Sequence, residues 1–215
     1  MASPRVPESG EAPSVESLLA AIASGDTEAL AALYRQQQRN VLRFILQIIK
    51  SQPDAEEVLT DTFLHVWRNA AQFSGQSKAT TWILGIARHK ALDRARLRKL
   101  PEQDNPDWDS LADIVDNNEP SSIERIASKE ISAKVLAGIA ALPAEQRQCL
   151  HLVFFEDMSV EDVALIQGVP KNTVKTRLHY ARNKLRVLLA NEEVNTALTA
   201  QVVDHIQALV SNKPA

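Results

Sequence analysis

The sequence predicts an all-α protein of two helical domains joined by an acidic linker. Apolar residues recur at i, i+3, i+4 spacing in block after block, glycine is scarce at 6 in 215 residues, and charge is segregated along the chain. A formal net charge of −3 hides that segregation. Residues 88–99 carry six Lys/Arg and one acid, Asp93, and residues 171–186 carry six Lys/Arg and no acid. Residues 101–130 carry nine acids and two bases, so an acidic segment separates two basic patches.

The elements follow in order. Residues 1–13, with three Pro and two Ser, read as a disordered lead. Val15, Leu18, Leu19, Ile22, Leu30, Leu33 and Tyr34 follow helical spacing to about residue 38. Gly25-Asp26 divides that stretch into two helices, with Asp26 capping the second. Residues 40–50 form a further apolar helix, ended by Ser51-Gln52-Pro53. Residues 54–70 are the cleanest helix, with Asp54 as its cap. Ala55, Val58, Leu59, Thr62, Phe63, Val66, Trp67 and Ala70 lie on one face, and Asp54, Glu57, Asp61, Leu64 and Arg68 on the other. A loop at 73–78 leads to a helix that starts at Thr80 or Thr81 and runs to about Arg98, before Pro101.

Beyond it, Pro101, Pro106, Pro120 and repeated Asp mark a linker at 101–121. Helices resume at 122–140, and Leu142-Pro143 restarts the chain into 144–155. The domains expected are therefore 14–100 and 122–190, followed by an amphipathic extension at 191–215 with Val194, Leu198, Val202, Ile206 and Leu209 on one face.

The best-defined motif is a helix-turn-helix. Ser159-Val160-Glu161-Asp162 resembles a capping box, and Gly168 can take the left-handed conformation that closes the first helix. Val163, Ile166, Val169, Val174 and Leu178 supply a small core, and Ala164 permits close packing. The second helix offers Lys171, Asn172, Thr173, Lys175, Thr176, Arg177, His179 and Arg182 to solvent. A basic helix of this kind fits the major groove of duplex DNA.

Other chemistries find little support. The chain has no phosphate-binding glycine loop, nucleophile elbow or paired catalytic set, so no enzymatic activity and no cofactor are expected. Cys149 and His151 have no further ligands at metal spacing, so no metal is expected. A single cysteine excludes an internal disulfide framework. The longest apolar stretch, 41–49, falls short of the ~20 residues of a membrane span, and the N-terminus lacks the apolar core of a signal peptide. A cytoplasmic protein with no membrane insertion is the expectation.

Two blocks resemble one known family. Val163-Ala164, Gly168-Val169-Pro170, the run from Thr173 to Arg182 and Leu185-Arg186 look like region 4 of the extracytoplasmic-function (ECF) sigma factors of the sigma-70 family. Asp54-Ala55-Glu56-Glu57 with Thr62-Phe63-Leu64-His65-Val66-Trp67-Arg68 resembles their region 2.2. Phe73, Thr81-Trp82-Ile83, Ile86-Ala87-Arg88 and Ala91-Leu92-Asp93-Arg94 resemble regions 2.3 and 2.4. The resemblance spans about residues 15–190, with departures at Thr60, where the family often has Gln, at His89, where Asn is common, and at Asn172, a frequent Gly.

The resemblance implies an alternative sigma factor that binds core RNA polymerase and directs initiation at promoters with −35 and −10 elements. Asp54, Glu56, Glu57, Asp61 and Leu64 would dock on the β′ clamp helices, with further contact to the β subunit. Phe73, Gln76, Ser77, Lys78, Thr80, Thr81 and Trp82 would capture an extruded −10 base. Arg88, His89, Lys90, Arg94 and Arg96 would track the strand. The eight residues of the basic helix would read the −35 duplex. Asp104, Asp107, Asp109, Asp113 and Asp116 would mimic RNA phosphates in the polymerase cleft. An anti-sigma factor is the implied regulator. The alternative reading of the same residues is an autonomous helix-turn-helix regulator, although a pI near 6.0 suits a polymerase subunit better.

Overall fold

A computed structural model describes residues 13–97 and 137–190, without the side chains of 188–190. Among these residues every regular element is helical. Helix α1 spans Val15–Ala23, α2 Thr27–Leu46, α3 Gln52–Asn69 and α4 Ala79–Leu97, with a short 3-10 turn at Ala70–Gln72 after α3. A helical turn at 137–140 precedes α5, Ala144–Phe154; α6 spans Val160–Gln167 and α7 Lys171–Ala190. The linker aspartates 104, 107, 109, 113 and 116, Arg98, the start of the expected 122–140 helix and the 191–215 extension lie outside the described residues.

Local chemistry sets the boundaries. Ser14 caps α1 by accepting from the Ser17 amide, and Asp26 caps α2 by accepting from the amides of Glu28 and Ala29. Gly25, at φ 91°, makes the turn between them. The division expected near residue 38 does not occur. No Gly or Pro interrupts 27–46, and Leu33, Val41, Phe44 and Ile45 keep one face buried throughout α2. Helix α3 likewise starts two residues earlier than expected. Ser51 is its cap and Pro53 sits in the first turn, where a missing N–H costs nothing. Asp54 is thereby released from capping and turns inward.

Helices α1–α4 form one bundle around Leu19, Leu33, Phe44, Ile45, Ile49 and Ile83, all fully buried. Tyr34 and Phe63 meet edge to face at 4.9 Å inside it. Leu142, Leu150, Leu152, Leu178 and Leu185 build the second core among α5–α7. The two bodies touch: α4 packs on α6, and α2 approaches α5.

Candidate nucleic-acid interface

The helix-turn-helix is built as its sequence dictates. Ser159 Oγ accepts from the Asp162 amide while the Asp162 carboxylate accepts from the Ser159 amide, which completes the capping box. Gly168 sits at φ 65°, and the Val169 amide donates to the Ala164 carbonyl, closing α6. Helix α7 then buries Val174, Leu178, Ala181 and Leu185 against α5 and α6.

That inward stripe sorts the eight predicted residues of α7. Lys171, Asn172, Thr176 and His179 are exposed, and Thr173, Lys175 and Arg182 are half-buried at the flanks. Lys171 bonds Glu161 at 2.8 Å, the Thr176 hydroxyl donates to the Asn172 carbonyl, and His179 meets Asn183. Arg177 differs from the rest. It turns back under the helix onto Gln167 and, at 2.8 Å, onto Glu145 of α5. Beside it the Cys149 thiol is buried, and burial pushes its pKa up to about 11.

In the first domain, the loop after α3 and the start of α4 border a cleft of about 620 Å³. It gathers Gln76, Ser77, Thr81, Trp82, His89 and Lys90 from the predicted set. Phe73 flanks it, its ring 5.5 Å from that of Trp82. Helix α4 owes its start to a contact far away in sequence: the Ala79 amide donates to the Glu16 carboxylate of α1 at 3.1 Å. Glu16 carries no local signal, being 63 residues from its partner. Sequence reasoning also missed His65 of α3, which lines the cleft one turn beyond the acidic face. Burial lowers its pKa from 6.5, and the like charges of Lys90, Arg68 and His89 lower it further.

The other predicted cations of α4 leave the cleft. Arg94 reaches across to α3, pairing with buried Asp54 at 3.2 Å and with Glu57. Arg96 pairs with Asp93, which lines the cleft and also meets His89 there. Arg88 is half-buried, and its Nε has no hydrogen-bond partner among the described residues. Burial lowers its pKa, the nearby Glu145 carboxylate opposes that, and Arg177 adds to it. Lys78 is exposed and Thr80 half-buried at the rim. On the far side of α3, Glu56, Glu57, Asp61 and Leu64 are exposed, with Leu64 at 43% a rare outward leucine. Asp54, tied to Arg94, is withdrawn from that face. Thr60 is exposed and donates to the Glu56 carbonyl.

Two helical bodies thus stand on one chain, one a capped helix-turn-helix with a basic second helix and one a polar cleft beside an acidic helix. Sequence comparison supplies the family. The model of sigma-70 region 2 matches residues 33–100, and that of sigma-70 region 4 matches residues 132–185, together more than half of the chain. The ECF RNA polymerase sigma factor RpoE of Cereibacter sphaeroides is 28% identical over 162 residues, 75% of this chain and 86% of the relative. SigK of Mycobacterium bovis, also an ECF sigma factor, is 26% identical over 178 residues, 80% of this chain and 91% of the relative. Among solved structures, CnrH in complex with the cytosolic domain of CnrY aligns at a TM-score of 0.59 and 21% identity, over 83% of this chain and 98% of that one. RpoE in complex with the anti-sigma factor NepR from Bartonella quintana aligns at 0.54 and 24%, over 74% and 96%. The chain belongs to the sigma-70 family of RNA polymerase sigma factors, in its ECF group. It is a factor of transcription initiation, and sigma factors are regulatory DNA-binding proteins rather than enzymes. No helix among the described residues is long and apolar enough to cross a membrane.

Proposed function

We propose that this chain docks on core RNA polymerase through α3, captures the −10 strand in the cleft of α4, and reads the −35 duplex with α7. The observation that carries this reading is the convergence of Gln76, Ser77, Thr81, Trp82, His89 and Lys90 on one cleft, beside an acidic helix and with a helix-turn-helix on the same chain. An extruded base needs a slot with an aromatic wall and polar partners, and Trp82, Gln76 and Ser77 offer both. Glu56, Glu57, Asp61 and Leu64 combine charge, which sets register and speed, with an apolar contact for the clamp helices of β′. Asp54 positions this surface by holding Arg94 rather than by touching polymerase. On α7, Lys175 and Arg182 are the cations best placed for phosphates, whereas Arg177 holds α7 to α5. Regulation by an anti-sigma factor is the further part of this reading, in keeping with the NepR complex of the Bartonella relative.

Run-off transcription tests the whole reading. Purified chain and bacterial core polymerase are assayed on the fragment upstream of the chain's own gene. Initiation should require both, and Asp61→Lys should abolish polymerase binding while leaving the helical content intact. An Asp61→Lys chain that binds core as wild type does removes α3 as the docking surface. A chain that binds its operator tightly without polymerase points instead to an autonomous regulator.

A further inference from the structure

We propose that Glu16 of α1 is a positioning residue for −10 capture: its carboxylate fixes the first turn of α4 and, with it, the reading loop at 73–78. This inference rests on the reading of the α4 cleft as the −10 site. Helix α4 begins at a residue that cannot cap it. The Trp82 amide donates to the Lys78 carbonyl at 3.1 Å, which makes Lys78 the capping position. A lysine side chain has donors only, so it cannot accept from the amides of the first turn. Its charge has the same sign as the helix's positive end, and the first turn of α4 carries no acid. Glu16 supplies both missing parts from 63 residues away: an acceptor for the Ala79 amide at 3.1 Å and a negative charge.

The place of Glu16 is itself fixed. Ser14 caps α1 through the Ser17 amide, and Val15, Leu18, Leu19 and Ile22 seat that helix in the bundle. The other end of the reading loop rests on the same helix. The 3-10 turn at Ala70–Gln72 packs on α1, as α4 does, and the Phe73 amide donates to the Ala70 carbonyl at 3.1 Å. The rings of Phe73 and Trp82, 5.5 Å apart, join the two ends, and Gly75, at φ 72°, turns the chain between them. Both stems of the loop are therefore held by α1.

The residues assigned to base capture depend on those stems. Gln76 and Ser77 lie in the loop, and Thr81 and Trp82 lie within one turn of Ala79. A loop that must be ordered on binding loses affinity to the ordering, and a loop already held does not. Without Glu16 the first turn of α4 frays and the loop loses one stem, although Glu16 does not itself line the cleft. The effect is local. Glu16 is exposed and outside the core, so its loss removes a cap and no buried apolar contact. Glu16 also stands in the first turn of its own helix, where a negative charge is favourable. Glu16→Gln removes that charge and keeps an acceptor oxygen, so it separates support of α1 from the hold on α4.

The test uses the full chain, free and assembled with core polymerase on the fragment upstream of its own gene. Permanganate reactivity of thymines in the melted region reads opening, and hydrogen exchange of the free chain reads the order of α4. Glu16→Ala should speed exchange at the Ala79 and Trp82 amides and lower the permanganate signal at equal holoenzyme concentration. Each change should be roughly fivefold, the ratio that corresponds to one lost helix cap. Exchange within α2 and affinity for core polymerase should stay as in wild type. Glu16→Gln should restore most of both signals. A Glu16→Ala holoenzyme that opens promoter as wild type does overturns the proposal. So does a Glu16→Gln chain as impaired as Glu16→Ala, or a loss of opening that only follows a loss of core binding. Gln76→Ala, at an exposed loop position, is assayed beside them. If it lowers opening and Glu16→Ala does not, only the positioning role falls; if neither does, the −10 reading of the cleft falls with it.

Discussion

Asp162 shows at one residue how the fold uses a carboxylate twice. Burial would raise its pKa, but hydrogen bonds from Ser159 and Thr81 and the charge of Lys78 outweigh that and hold it below the ordinary 3.8. A carboxyl depressed in the folded state contributes stability that is fully present above its unfolded pKa. That contribution is lost as pH falls through the folded value. The chain should therefore lose stability on acidification below about pH 4, and Asp162→Ala should flatten that part of the profile. Urea titrations at a series of acidic pH values measure it; parallel profiles for the two proteins would deny Asp162 any such role. Sequence alone could assign Asp162 to the capping box, because its partner is three residues away. Its bond to Thr81, 81 residues away, has no local signature. Arg177 is an intermediate case. It precedes Leu178 and lies four residues before Ala181, both on the buried stripe of α7, so a helical wheel already places it at the edge of the exposed basic surface.

Among the elements, the legible ones are those whose stop and start signals are local. The helix-turn-helix is the clearest, since capping box, left-handed glycine and inward stripe all fall within 30 residues of sequence. Gly168→Ala forces a side chain into φ 65°, where no neighbour lies within 4 Å, so the cost is conformational alone. It should destabilise the second domain by about 1–2 kcal/mol, read as a shift in the denaturation midpoint; an unchanged midpoint would mean that the turn can relax. Less legible were the boundaries of α2 and α3. A polar run, Gln36-Gln37-Gln38-Arg39-Asn40, resembled a break, yet the burial of Leu33 and Val41 on either side carries the helix through it. Pro53 resembled a stop and instead starts α3. On α7, the phosphate-facing role proposed for Lys175 has its own signature. Lys175→Ala should weaken −35 duplex binding evenly across sequences and reduce the salt slope by about 0.9. A sequence-selective loss with an unchanged slope would make Lys175 a base reader.

For the molecule as a whole, the sequence disclosed two bodies and a charged tether but not how the bodies meet. Their seam joins residues about 80–110 apart through single hydrogen bonds and a ring stack, none of which leaves a periodic trace. The same separation of reading sites has a consequence for promoters. Each site alone presents few cations, and on this reading specificity comes from engaging both on one duplex. Linked sites gain avidity only while the spacing lets both bind, and the gain vanishes where it does not. If polymerase, docked as proposed, holds the two domains at a fixed distance and a fixed angular phase, the spacer between −35 and −10 is constrained in both respects. Inserting about five base pairs moves one element roughly half a helical turn around the duplex, to the face opposite its reader. Run-off yield should then fall by at least tenfold. Inserting about ten pairs restores the phase but adds roughly 34 Å, and should leave the yield low. Recovery with the full turn would mean that the tether, rather than polymerase, sets the distance between the domains. Equal yields on all three templates would mean that one site alone directs initiation.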